Sequence, residues 1–182
     1  YRFSSNEVGT IAYSGSCSSA DVTASDGENW IDFTLSPAPV ASADTPYTGC
    51  SITVTDAAGN TSASLVVNDF IIDLLLPVVT EVTRIGINPL YGSTDTTPDY
   101  TFNTDESGSI VYGGGCSSVS AQATTGDNTI TYNELGQAVY SSCTIQIVDV
   151  AGNASLPLTV SPFTIDSIAP ERGRVWYHIL PR

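Results

Sequence analysis

Four cysteines carry the plainest chemistry in this chain. Cys17 and Cys50, then Cys116 and Cys143, stand one early and one late in each of two similar stretches. The pairing that respects the similarity joins Cys17 to Cys50 and Cys116 to Cys143, since any other crosses between stretches. Each disulfide would close a loop of about thirty residues, worth about 3–4 kcal/mol in the chain-entropy account. Zinc is the rival use of four thiolates, but the chain has no Cys-x-x-Cys and its single histidine is His178. Disulfides imply an oxidising location, extracellular or at the cell surface.

Acids are the second resource. Asp73, at the end of the first copy's last strand, and Asp105, Glu106, Asp149 and Asn153, in turns of the second copy, are expected to converge at the junction between the two. Asp166 would meet Glu7, Asp56 and Asn60 of a following unit in the same way. A hard cation such as Ca2+ takes six to eight oxygens, which clustered carboxylates and carbonyls supply. The competing reading is that Asp56 and Asp149 make turn hydrogen bonds and the other acids are solvated. Asn60-Thr-Ser62 and Asn153-Ala-Ser155 fit the N-glycosylation acceptor pattern, at turn positions that favour Asn in any case.

Catalysis has nothing to work with. A hydrolase needs a histidine near a nucleophile and a carboxylate, and His178 lies in a terminal strand-like segment with no pocket in prospect. Gly113-Gly-Gly115 is followed by no helix that would aim its N-terminus at an anion, so it reads as room for a tight approach to Cys116. The absence of Lys excludes a Lys–Asn isopeptide bond. The formal net charge is −14, against nucleic acid or an anionic membrane surface as partner. No apolar run approaches the ~20 residues of a membrane-spanning helix. Neither a signal peptide nor an initiator Met is visible, so the chain reads as a mature product or an excised piece.

These residues are positioned by a repeat. Tyr1-Arg-Phe3, Gly9-Thr-Ile-Ala-Tyr13 and Cys17-Ser-Ser19 return as Tyr100-Thr-Phe102, Gly108-Ser-Ile-Val-Tyr112 and Cys116-Ser-Ser118. Cys50, Asp56, Gly59-Asn60, Phe70, Asp73 and Pro77 return as Cys143, Asp149, Gly152-Asn153, Phe163, Asp166 and Pro170. The first copy carries a short insertion between its cysteines, with Pro37, Pro39 and Pro46. A repeat of this length is an array of whole domains. The expected division is 1–77, 78–170 and a tail, 171–182.

Helical periodicity is absent, and β-rich stretches alternate with Gly, Asn, Asp, Ser and Pro turns, the pattern of an all-β sandwich. In the second copy the expected strands are A at 79–87, B at 99–103, C at 109–112, D at 119–123, E at 128–132, F at 143–148 and G at 156–165. Ile145 and Ile147 face the core, Thr144 and Gln146 do not. Asp149-Val-Ala-Gly-Asn153 makes a tight turn in which Gly152 or Asn153 takes a positive φ. Trp30 takes the place of Thr129 and is expected to face outward.

The run Thr97-Pro-Asp-Tyr-Thr-Phe102, then Gly108–Tyr112, Cys116, Asp149–Asn153 and Phe163-Thr-Ile-Asp166, resembles bacterial Ig-like repeats of large surface proteins and adhesins. The resemblance implies two tandem immunoglobulin-like β-sandwich domains, an extracellular stalk or filament role, calcium at the junctions and no catalysis.

The ends are displaced relative to the repeat. Residues 78–99 lead into the second copy and have no counterpart before Tyr1; their counterpart is 171–182. The first domain thus has strands B to G only. The surplus segment Val175, Trp176, Tyr177, His178, Ile179 and Leu180 stands where strand A of a next module would begin. Two readings follow: a subunit that polymerises head to tail by donating this strand, with the chain as its own partner, or a piece of a longer adhesin stalk. In the second, the Pro-rich insertion is the place for a glycan or host-protein ligand.

Overall fold

Period-two alternation of Val, Ile, Thr and Tyr with polar residues builds strands, and the computed structural model, which describes residues 1–86 and 92–169, is β throughout with no helix among the described residues. The chain divides into two units, Tyr1–Leu76 and Pro77–Arg182.

The first unit contains β1 (Arg2–Ser5), β2 (Gly9–Ser14), β3 (Cys17–Ser18), β4 (Thr23–Ala24), β5 (Gly27–Trp30), β6 (Thr34–Leu35), β7 (Thr45–Tyr47), β8 (Ser51–Thr55), β9 (Leu65–Val66) and β10 (Phe70–Ile72). One sheet runs β4-β2-β8-β9, and the remaining strands form the pairs β1-β5, β7-β10 and β3-β6. All pairings are antiparallel. Phe3, Ile11, Ile31, Ile52 and Val67 pack around the Cys17–Cys50 disulfide, whose Cα atoms are 5.3 Å apart.

The second unit contains β11 (Val79–Glu81), β12 (Asp99–Thr104), β13 (Gly108–Gly113), β14 (Gln122–Ala123), β15 (Gly126–Thr131), β16 (Ala138–Tyr140), β17 (Thr144–Val148), β18 (Leu158–Thr159) and β19 (Phe163–Ile165). Its sheets are β11-β12-β15 and β14-β13-β17-β18, with the pair β16-β19. Ile145 and Ile147 are fully buried, as the alternation requires. Cys116 and Cys143 are bonded, with Cα atoms 5.4 Å apart. Both units are immunoglobulin-like β-sandwiches stapled between early and late strands.

Two expectations are corrected. Strand G is two strands: β18 pairs with β17, whereas β19 pairs with β16. Pro162 lies between them, and without an N–H it cannot continue a ladder, so the chain changes partners there. Strand D shrinks to Gln122–Ala123 because Ser120 N donates to Ser118 Oγ at 3.2 Å, a local bond in place of a ladder bond. The positive φ of the Asp149 turn belongs to Gly152, at 95°, one of the two residues expected to take it. Gly114 lies against the disulfide hairpin as expected: a Cβ there would sit 1.6 Å from the Ser142 carbonyl oxygen.

Tyr132 is 1% exposed and its hydroxyl has no partner among the described residues. The first unit has Phe33 at the matching position, against Tyr1 at 5.5 Å. Tyr132→Phe is therefore expected to leave the second unit's stability unchanged or raise it by about 1 kcal/mol, read by urea denaturation.

Candidate functional site

The candidate site is a sheet edge, and in the second unit the equivalent edge is covered. There β12 has β15 on one side and β11 on the other. Val79 pairs with Thr104 and Glu81 with Phe102. Beyond them Val82 N and Thr83 N both donate to the Thr101 carbonyl, at 3.0 and 3.1 Å, and Asp105 N donates to the Val78 carbonyl at 3.3 Å. Two residues of one strand facing one of the other is a bulge, which turns the covering strand away from the edge.

Strand β1 is the counterpart of β12, and β5 is the counterpart of β15. Tyr1 and Ile31 exchange both backbone bonds, the Ile31 N–H to the Tyr1 carbonyl at 2.9 Å and the Tyr1 ammonium to the Ile31 carbonyl at 2.8 Å. Antiparallel pairs alternate, so Tyr1, Phe3 and Ser5 turn their backbone groups to β5, while Arg2 and Ser4 turn theirs the other way. On that side β1 has no strand partner among the described residues. Among the described residues, Arg2 and Ser4 thus turn their backbone groups to an edge without a strand partner.

Apolar exposure differs beside the two edges. Tyr1 is 42% exposed, whereas Tyr100 in the covered edge is 0%. Leu65 is 42% exposed, whereas its counterpart Leu158 packs against the core. An uncovered edge with apolar neighbours is a site for pairing with another strand.

The covering strand holds on through a carboxylate. Glu81 points inward and accepts hydrogen bonds from Ser161 Oγ at 2.6 Å, Ser161 N at 2.9 Å, Tyr100 Oη at 3.2 Å and Arg84 Nε at 3.3 Å. Burial pushes its pKa up, but the bonds from Ser161, then Tyr100 and the Arg84 charge, outweigh this and hold it below the ordinary glutamate range. Burial, then Glu81, pushes the Tyr100 hydroxyl well above the usual tyrosine range, so it stays a donor. Reading the sequence missed Glu81. Its signal was there: an acid on the inward phase of Val79-Thr-Glu-Val82, which demands partners.

The outer face beside each edge differs between units. In the second unit Thr101 and Thr129 pair through their hydroxyls at 2.8 Å. In the first, their places are taken by Arg2 and Trp30. The Arg2 guanidinium lies 5.5 Å from the Trp30 ring centroid and 3.6 Å from Glu28. Trp30 is 72% exposed, facing outward as expected.

The acids sort by unit. In the first, Glu7, Asp56 and Asn60 line one hollow of about 240 Å3. Asp56 Oδ1 accepts from Ala58 N and Asn60 N, each at 2.8 Å, and Oδ2 from Asn60 Nδ2 at 2.8 Å. The Asn60 side chain and backbone bonds hold its pKa below the usual carboxylate range. Asp73 Oδ1 caps Leu75 N at 3.0 Å. In the second unit, carboxylate oxygens of Glu106 and Asp149 come within 4.8 Å of each other. Asp149 accepts from Asn153 N at 2.8 Å and Asn153 Nδ2 at 2.9 Å. Asp105 Oδ1 accepts from Val78 N at 2.7 Å, and Asp166 Oδ1 from Ile168 N at 3.4 Å. Asp56 and Asp149 therefore do the turn work their spacing allowed. Two carboxylates in one unit are fewer than the six to eight oxygens of a calcium shell, so water, carbonyls or further groups would have to complete it. The side-chain amides of Asn60 and Asn153, the glycosylation candidates, are both donated to turn carboxylates. In the insertion, Tyr47 Oη donates to the Pro37 carbonyl at 2.7 Å and its ring stacks on Phe70 at 5.3 Å, which anchors the loop. The segment Val175–Leu180, with Trp176 and His178, lies outside the described residues.

No family model and no curated protein matches the chain. Among solved structures it is similar to the D00–D0 domain of Intimin, with 12% identity over 90% of this chain and 88% of that one, at a TM-score of 0.33.

Proposed function

We propose that the chain is a structural, non-enzymatic unit of an extracellular surface fibre, assembled head to tail by strand donation. The observation that carries this is the difference between two equivalent strands. β12 is covered by β11, while β1 turns the backbone groups of Arg2 and Ser4 to an edge with no partner among the described residues. The repeat supplies an occupant, since residues 171–182 follow Asp166 and Pro170 as 78–86 follow Asp73 and Pro77. Residues 171–182 of one copy would lie beside β1 of the next, with main-chain bonds for affinity and alternate side chains for register. A head-to-tail contact that does not close gives a fibre. Two disulfides suit an oxidising exterior.

A second reading is favoured by the second unit itself. Its covering strand β11 comes from the same chain, directly after the first unit. The open edge of β1 would then take a strand from a preceding module of a longer stalk. Light scattering separates the two. The full chain should associate, and a variant lacking 171–182 should remain monomeric. Association that survives the deletion would remove tail donation; a full chain that stays monomeric would favour the stalk.

Calcium belongs to the same proposal as a stiffener of the array. Glu106 and Asp149 would contribute in the second unit, Glu7 and Asp56 in the first. Calorimetric titration with Ca2+ after chelation should give heat that Glu106→Gln reduces, and a flat titration would remove the ion from the account.

A further inference from the structure

Taking only the source of tension from the fibre and stalk readings, we infer that the second unit carries a shear clamp at Ser93, which couples its entering and departing segments and resists a pull along the chain. Pairing direction is where the clamp shows. Every ladder among the described residues of the second unit is antiparallel. The bridge between Ser93 and Ile165 is parallel. Two backbone bonds make it: Ser93 N donates to the Thr164 carbonyl at 2.7 Å, and Asp166 N donates to the Ser93 carbonyl at 2.8 Å. Ser93 precedes β12 and Asp166 follows β19, so these bonds tie the segment entering the sandwich to the one leaving it.

Direction decides how such a contact meets force. In a parallel pair the N-terminal end of one segment and the C-terminal end of the other lie at opposite ends. The chain upstream of Ser93 and the chain downstream of Asp166 therefore leave the bridge in opposite directions. Tension slides the two segments past each other and loads both bonds together. An antiparallel pair pulled at its open end unzips instead, one bond after another. Strand β11 lies upstream of Ser93, so it can leave β12 without breaking the clamp.

The segments on both sides of the bridge are held in place. Gly92 takes a φ of 68°, and a Cβ there would lie 3.0 Å from the Asp166 Cβ, so the close approach needs glycine. Just after the bridge, Asp95 N donates to Ser93 Oγ at 3.1 Å and Leu135 N donates to the Thr96 carbonyl at 2.8 Å, which ties the entering segment to a second part of the unit. On the departing side Phe163 and Ile165 are buried, so the core holds β19 against the load. The Cys116–Cys143 disulfide, with a sequence separation of 27, lies between the two halves of the clamp in the chain. Opening the clamp thus releases the chain outside that loop and leaves the loop closed.

The test is single-molecule force spectroscopy on the full chain held by its two ends. Steps are assigned to units by the length that reduction adds, since the disulfides differ in sequence separation, 33 in the first unit and 27 in the second. In the wild type the second unit should open with a distance to the barrier of about 3 Å, one hydrogen-bond length, because both bonds break together. A distance of about 10 Å or more, the length of three unzipped residues, overturns the clamp, and this measurement needs no variant. Ser93→Pro removes the Ser93 N–H and keeps the carbonyl that Asp166 uses. It should speed opening at fixed force about fivefold to thirtyfold, the effect of one lost backbone bond. Ser93→Ala loses only the bond from Asp95 N and should match the wild type under force. Tyr112→Phe is the control for general stability, since it removes the bond from Tyr112 Oη to the Ser120 carbonyl at 2.7 Å, outside the clamp. It should weaken the unit in urea and leave opening under force unchanged. Equal acceleration by Ser93→Pro and Tyr112→Phe would make Ser93 an ordinary part of the fold and overturn the inference. Assembly is read separately by light scattering, so loss of tail donation leaves the clamp standing and loss of the clamp leaves donation standing.

Discussion

Ser4→Pro is expected to leave both units folded and to abolish strand addition at the first. Ser4 stands opposite Glu28 in β1, in a pair that makes no bonds to β5, so its N–H is one of the groups presented at the open edge. Proline there removes an edge donor and sets ring atoms where an incoming carbonyl would lie. It takes nothing from the β5 ladder, whose bonds come from Tyr1, Phe3 and Ser5. Phe3→Pro is the control with the opposite outcome: it removes a ladder bond and a core side chain 7% exposed, and should cost about 3 kcal/mol or more of the first unit's stability. The comparison separates damage to the edge from damage to the fold. Sedimentation should show Ser4→Pro at least about tenfold weaker in self-association, a change of about 1.4 kcal/mol, with circular dichroism unchanged. Wild-type association in Ser4→Pro would mean that strands do not add at β1.

Much of this was legible because the chain contains two versions of one module. The cysteine pairing came from lining up the copies, and the inward phase of Ile145 and Ile147 from alternation. What escaped depends on partners far along the chain. The partner change at Pro162 needed the knowledge that β16 exists to receive β19, and Ala138–Tyr140 looks like loop when read alone. The role of Glu81 needed Ser161, eighty positions away, to come within 2.6 Å. For the acids, the residue types were legible but not what each would bind. Asp56 and Asp149 are bound by their own turns, which spacing alone could not distinguish from a shared cation.

The largest loss of stability is expected from Glu81→Ala. The side chain is 17% exposed, and its removal leaves Ser161 N, Ser161 Oγ and the Tyr100 hydroxyl without their acceptor. Hydrogen bonds to a charged group are worth about 1.5–3 kcal/mol each, and donors left buried and unpaired add their own penalty, so a loss of about 2–4 kcal/mol follows. The loss should be local before it is global. Glu81 ties β11 to the segment between β18 and β19, so the covering strand should open first. Amide exchange reports this directly, since Val82, Thr83 and Asp105 N–H bond across the β11–β12 edge. Acid should mimic the substitution. The folded pKa of Glu81 lies below the ordinary 4.5, so the unfolded chain binds the proton more readily. Its contribution is complete above the ordinary value and is lost as pH falls through the folded one. The stability difference between wild type and Glu81→Gln should therefore be constant near neutral pH and shrink below about pH 4.5. If the difference persists undiminished at pH 2, the carboxylate charge is not what holds the strand. An edge closed by a strand that carries such a lock resists opening.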